Sequence, residues 1–257
     1  MHAASRFRKL GILFALLVPF TAGLLGAAPE RRVLVYTKNG KGYVHDNIAA
    51  SVAAIKQLGA TNNFAVDVSD DPAVFTDQNL KQYKALVFDN VNNNIFDNEE
   101  QKSVFQHYIR AGGGFVGIHS ACGAMRDWPW FWELIGGKFL RHPKLQTFTV
   151  KVKDAKDIST AHLPATFQWT DEFYFLEHMP KGRHILLAGD LTTLNDPAKE
   201  KYPGKAFGDE FPLAWRREFE GARTWYTALG HKPEHYSDPK LTQHILGGIL
   251  WAMGENK

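Results

Sequence analysis

Three short apolar runs constrain this chain most: Arg32–Thr37 (RVLVYT), Ala85–Phe88 (ALVF) and Phe115–His119 (FVGIH). Each is too short for a buried helix and is rich in β-branched or aromatic residues, so each reads as a strand covered on both faces. Helical patterns lie between them. Asp46–Leu58 carries Ile48, Val52, Ile55 and Leu58 on one face, with Gly59 as a C-cap, and Asn98–Arg110 is amphipathic and ends in Ala-Gly-Gly-Gly. Phe64–Val68 adds a further strand. Strands alternating with helices imply parallel pairing through right-handed crossovers. The second half is less regular: Gln146–Val152, His184–Ala188 and Ala222–Ala228 read as strands, and Pro239–Met253 as a closing helix. The expected class is α/β, a mostly parallel sheet flanked by helices.

The N-terminus bears on compartment. Arg6, Arg8 and Lys9 precede the apolar run Leu10–Leu25 and the small residues Gly26-Ala27-Ala28. This reads as a secretory signal peptide over residues 1–28, cleaved near Ala27 or Ala28, with an uncleaved anchor as the other reading. Pro19, Thr21 and glycines interrupt a run already shorter than the ~20 residues a spanning helix needs. The expectation is a periplasmic or secreted protein with no stable membrane insertion after cleavage, and residues 29–257 as one domain. The leader holds three of the 30 Lys and Arg and none of the 27 Asp and Glu, which leaves 27 of each. Nothing in that balance points to nucleic acid. Cys122 stands alone, so an exported chain would have no intramolecular disulfide and must rely on its core.

An open parallel sheet carries its reactive groups just past the carboxyl ends of its strands, here Thr37–Asp46, Asp89–Asn94 and His119. The stretch Gly112–Ala121 (GGGFVGIHSA) is the most informative. Its apolar run ends in His119 and Ser120 and resembles a nucleophile elbow, where a strained strand-to-helix turn lifts one side chain into a cleft. A histidine at such a place is either a satisfied structural group or a reactive one. Cys122, three residues on, is read as a small packed thiol. Trp128, Trp130 and Trp132 are dense enough to be core or a sugar-stacking platform, and at least one is expected to line the cleft. Trp215, Trp225 and Tyr226 follow the same logic. Arg223 would hold a carboxylate, a sugar hydroxyl or a structural ion pair.

An ordered set of segments resembles ThuA-like (trehalose-utilisation) proteins: Gly42–Asp46 (GYVHD), Gly113–Ala121, Gly136–Phe139 with His142-Pro143, Asp171–Tyr174 (DEFY), Pro212–Trp215, Gly221–His231 and Gly247–Ala252. The family is similar in fold to class I glutamine amidotransferases, which implies a flavodoxin-like sheet. Those enzymes carry a cysteine nucleophile at the elbow. His119 stands there instead, so glutamine hydrolysis by that route is not expected. Relatives often carry a polar pair such as Thr-Asp near Cys122-Gly123, and the chain departs from them at that point. The resemblance also implies that His45, His119 and His231 converge with His142 and Glu172. Such a set suits Zn²⁺ or another first-row divalent ion, or else a metal-free carbohydrate pocket. His45, His119 and His231 are the expected metal ligands, and His119, His142 and Glu172 the catalytic groups. Tyr43, Ser120, Trp128, Tyr174, Trp215 and Arg223 are expected to touch substrate. The implied activity is that of a hydrolase or lyase on glycosides or 3-keto-glycosides, with non-catalytic carbohydrate binding as the alternative. Ordinary glycoside hydrolysis would draw its carboxylates from Asp46, Asp171 and Glu172. The expected partner is a small carbohydrate, and the chain is compatible with a homo-oligomer.

Overall fold

The computed structural model describes Met1 and residues 31–198 and 207–255, so the leader read over residues 1–28 lies, Met1 apart, outside the described residues. From Arg31 the chain alternates as its hydrophobic pattern dictates: β1 (Arg32–Tyr36), α1 (Ile48–Thr61), β2 (Ala65–Ser69), a single turn α2 (Asp77–Leu80), β3 (Ala85–Asp89), α3 (Glu99–Arg110) and β4 (Gly114–Ile118). Then come α4 (Pro129–Ile135), β5 (Lys138–Arg141), β6 (Gln146–Val152), β7 (Thr166–Asp171), β8 (Phe175–Glu177), β9 (His184–Asp190), β10 (Glu210–Phe219), β11 (Ala222–Thr227) and α5 (Pro239–Ala252).

Nine strands form one sheet in the order β2-β1-β3-β4-β11-β10-β9-β6-β7. The first five are parallel and follow flavodoxin-like winding, with β11 taking the fifth place. Four antiparallel pairings then extend the sheet from β11 to β7, so only β10 and β6 run against the other seven strands. Every residue of β3 and β4 is buried, as helices on both faces require. Alternation along β4 sorts the two faces. Gly114 abuts the Ala252 carbonyl of α5, which also touches α1. On the opposite face Phe105 of α3 and Phe131 of α4 stack on Phe88 of β3 at ring separations of 5.0 and 6.0 Å.

The sequence reading differs in the second half. β7, β8, β10, β5 and α4 did not stand out. Ten-residue β10 carries a bulge between Pro212 and Trp215, which breaks the alternation that marks a strand. His244 of α5 is 1% exposed: its ring packs on Trp225 at 4.6 Å and Nδ1 donates to the Ser159 carbonyl. Among the described residues no helix is long and apolar enough to cross a membrane.

Candidate functional site

β1 and β3 lie at the point where the winding reverses, and their carboxyl ends part to open a crevice. Loops after β1, β3, β4 and β11 meet there. The post-β1 loop supplies Tyr43 and His45, the post-β3 turn Asn92, the post-β4 turn Ser120 with His119 fully buried just behind the lining, and the post-β11 loop His231. Glu172 and Tyr174 arrive between β7 and β8, and His142 just after β5. The resulting cavity, about 360 Å³, also takes Gly123, Arg126 and Phe139 into its lining. That volume suits a small molecule.

His119 occupies the elbow. Its φ of 48° is in the left-handed region that a non-glycine residue adopts at a cost. Two contacts hold it there. The Tyr226 hydroxyl donates to the His119 carbonyl at 2.9 Å, and the imidazole Nδ1 lies 2.7 Å from the Ala228 carbonyl. A carbonyl only accepts, so Nδ1 carries the proton and Nε2 presents its lone pair to the cleft. The Tyr174 hydroxyl, 3.0 Å away, donates to that nitrogen, and the Tyr174 ring stacks on the imidazole at 4.4 Å.

Around Nε2 the other groups close in. Donor atoms of His45, His119, Glu172 and His231 all lie within 4.8 Å of one another. Glu172 Oε2 is 3.2 Å from His231 Nδ1 and 3.7 Å from His119 Nε2, while Oε1 is 3.5 Å from His142 Nε2. His142 sits at the rim, and its Nδ1–H donates to the Pro143 carbonyl at 2.8 Å, which leaves Nε2 turned to Glu172. Burial first, then the neighbouring His119 and His231, push the His45 pKa down to about 3, so its imidazole is neutral at ordinary pH. Burial pushes Glu172 up, but contact with His119 and His231 and the charge of His142 outweigh it, and its carboxyl is held below the usual range. Glu172 in turn raises His231, against the opposing effect of burial.

A cation fits this set. His45 Nδ1 is buried without a hydrogen-bond partner and His231 Nδ1 has only Glu172 Oε2, at 3.2 Å, beside it; an orphaned buried imidazole nitrogen in such a cluster is what a bound ion would satisfy. First-row ions bind at ~2.0–2.2 Å, which sets adjacent tetrahedral donors about 3.3–3.5 Å apart, close to the 3.2 and 3.7 Å that separate Glu172 Oε2 from His231 and His119. Three imidazoles and one carboxylate, with the proton of His119 fixed on its outer nitrogen, suit zinc or a neighbouring ion.

Asp171 stands behind the cluster. Oδ1 accepts from the Glu172 and His231 backbone N–H groups, and Oδ2 from Gly230 N–H and Trp169 Nε1–H, at 2.8 to 3.2 Å. One buried carboxylate therefore fixes two cluster residues on loops that follow different strands. Gly230 needs its φ of 119° to turn the chain here, and a Cβ would meet the Tyr236 hydroxyl at 2.7 Å. Asn47 Nδ2 donates to the Gly230 and His231 carbonyls from below.

Several expectations are corrected. Trp128, Trp130 and Trp132 do not line the cleft. Trp128 and Trp130 stack on each other at 5.1 Å, Trp128 packs against Phe96 and Trp130 against Phe105, and Trp132 lies on His178 with Nε1 donating to Met125. Large rings after the elbow cover the α3–α4 face because that is where apolar area is buried. Trp215 is buried on β10 and donates to the Ile135 carbonyl. Trp225 and Tyr226 are core residues of β11. Arg223, at the opposite end of β11 from His231, has its guanidinium 4.7 Å from the Trp251 ring. Asp171 is sealed from the cavity, and Asp46 is exposed outside its lining. Tyr43, Ser120 and Tyr174 do line it. Asn92, Arg126 and Phe139 did not stand out in the sequence, although Asn92 belongs to the Asp89–Asn94 strand end that the parallel-sheet rule singles out. Cys122 is a packed thiol: burial pushes it up to about 12, and it lies against the Tyr226 hydroxyl rather than in the cavity.

Comparison with known proteins agrees with the winding. A ThuA-like protein of Bacteroides uniformis is 22% identical, with 90% of this chain and 94% of that chain covered and a TM-score of 0.68. A second, from Parabacteroides merdae, is 20% identical, with 89% and 92% covered and a TM-score of 0.69. No curated protein matches the sequence. The model of the ThuA family, described as trehalose utilisation, matches residues 32–252, nearly all of the chain that the structure describes. The chain belongs to the ThuA family.

Proposed function

We propose that the chain is a carbohydrate-active enzyme, a hydrolase or lyase of glycosides that carry a ketone at C3, with one divalent ion held by His45, His119, Glu172 and His231. The observation that carries this reading is the convergence of four donor atoms, from four separate segments, in an open cleft at the strand ends. The family's trehalose-utilisation context supplies the sugar.

A C3 ketone acidifies the proton on C2. A base takes that proton, and the electron pair passes into an enolate across C2, C3 and the C3 oxygen. When the ketone re-forms, the pair moves to the C1–C2 bond and expels the aglycone oxygen from C1, which takes a proton as it leaves. Water then adds at C1, with a proton returning to C2, and the net change is hydrolysis. A bound divalent ion supplies a Lewis acid for the enolate oxygen.

The chain's own groups do the rest. His142 Nε2, at the rim and beside Glu172, is the nitrogen placed to move a proton to or from substrate. Engagement of His119 Nε2 by a cation leaves the Tyr174 hydroxyl to donate to a substrate oxygen. Two-carboxylate hydrolysis is disfavoured, because it needs a pair about 5–9.5 Å apart and Glu172 is the one carboxylate among the described lining residues.

The test is a panel of 3-keto and unoxidised disaccharides, incubated with and without chelator. Turnover confined to the 3-keto members, lost with chelator and in His142→Ala, is expected. Turnover of the unoxidised sugars alone, or none of either class, would overturn the reading.

A further inference from the structure

One wall of the cleft plays no part in the chemistry above. Arg126 follows Met125, which is held at a φ of 48° with its N–H on the Asn93 carbonyl at 2.9 Å. The guanidinium is anchored at one corner only. Nε donates to the Gly123 carbonyl at 3.0 Å, Nη2 approaches Asn92 Oδ1 at 3.5 Å, and the group lies 5.4 Å from the Phe139 ring centre. Asn92 is itself fixed, accepting from Asn93 N–H and donating to the Tyr43 carbonyl. Gly123 makes room for the pair: a Cβ there would lie 2.8 Å from Asn92 Oδ1 and 3.4 Å from Arg126 Nη2. Nη1 and one Nη2 hydrogen keep no protein acceptor, and Arg126 pairs with no Asp or Glu among the described residues. Beside this wall the Ser120 hydroxyl, on a residue only 3% exposed, lines the cavity with no hydrogen-bond partner. A buried hydroxyl left unpaired at a cavity surface is matched by a ligand's polar atom.

We infer that the substrate of this cleft is a sugar acid, whose carboxylate is received by the free edge of Arg126 while Ser120 pairs with a neighbouring oxygen. The inference rests on the carbohydrate reading above and narrows it. A planar guanidinium with two parallel N–H groups matches a carboxylate better than it matches a hydroxyl. Glu172, the one carboxylate among the described lining residues, is engaged by histidines, so Arg126 is left to meet an incoming anion. Arg126 is exposed, so water hydrates its charge in the free chain, and a carboxylate replaces that water with paired N–H contacts that a neutral sugar does not offer. Asn92 and Gly123 act as positioning residues, holding Arg126 over the cavity.

The experiment is isothermal titration calorimetry of the full-length chain with methyl β-D-glucuronide and methyl β-D-glucoside, which differ only in the C6 carboxylate. The quantity read is the ratio of the two affinities. At least a tenfold preference for the glucuronide is expected at low salt, shrinking as salt is added, partly kept in Arg126→Lys and reduced to near one in Arg126→Gln. Equal affinities in the unaltered chain, or a preference undiminished in Arg126→Gln, would overturn the inference while leaving the carbohydrate reading intact. Failure to bind either glycoside would also overturn the inference, while the carbohydrate reading stands or falls separately on turnover of the 3-keto panel.

Discussion

Asp171→Asn exchanges one carboxylate oxygen for an amide NH₂ and tests how the cluster is held. Asp171 is fully buried, and each of its oxygens accepts two N–H groups. Whichever way the amide turns, two donors then face a donor. The neighbouring His235 Nδ1 offers little relief, because it already accepts from Lys232 N–H. Each buried unsatisfied donor costs about 1–3 kcal/mol, so a loss of about 2–6 kcal/mol is expected. Domains of this kind are stable by ~5–15 kcal/mol, so the variant should still fold. With the NH₂ at Oδ1 the strain falls on the backbone of Glu172 and His231, two of the four proposed ligands, and with it at Oδ2 on Trp169 and on Gly230, the residue before His231. Loss of such an outer partner typically weakens metal binding 10–100-fold. Urea unfolding of the metal-free chain measures the first effect and metal titration the second. A stability change under about 0.5 kcal/mol together with metal affinity within twofold would refute the hub role argued for Asp171.

The remaining predictions concern titration and the thiol. Burial holds the His244 pKa down at about 4, against 6.5 in the open chain. The unfolded state therefore binds the extra proton first, and its contribution to stability is intact above pH 6.5 and lost as pH falls toward 4, by roughly 3 kcal/mol at most. Unfolding free energies measured from pH 7 to 4.5 should fall less steeply in His244→Gln, and identical slopes would contradict this. Cys122 is buried beside Tyr226 and its pKa is pushed up to about 12. It should resist alkylation at pH 8 in the native protein and react fully in denaturant. Rapid native labelling, or loss of turnover in Cys122→Ala, would show that the thiol has a role in the cleft.

The parallel half of the fold was legible because buried strands and amphipathic helices write different periods into the sequence. β6 and α5 were found nearly to the residue for the same reason. In the antiparallel half β9 was read as well, but β7, β8 and β10 were not, and the bulge in β10 and the three residues of β8 leave too little pattern to read. In the site, the strand-end rule pointed to His119 and to the loop that carries His45, while His231 entered with the family resemblance. Their convergence came only from a family resemblance, because the imidazoles lie on loops far apart in the chain. The aromatic candidates failed for a physical reason. Trp128, Trp130 and Trp215 satisfy their large apolar area in the core, and nothing local in the sequence separates that use from stacking on a sugar. Arg126 was invisible because its importance comes from the missing side chain of Gly123 and the carbonyl beneath it.

The central claim is that His45, His119, Glu172 and His231 form one metal centre. Elemental analysis of the purified chain, beside a His45→Ala/His231→Ala double variant, tests it most directly. About one first-row divalent ion per chain, absent from the double variant, is the result expected. A metal-free chain that stays fully active with chelator, or equal metal content in both proteins, would contradict it.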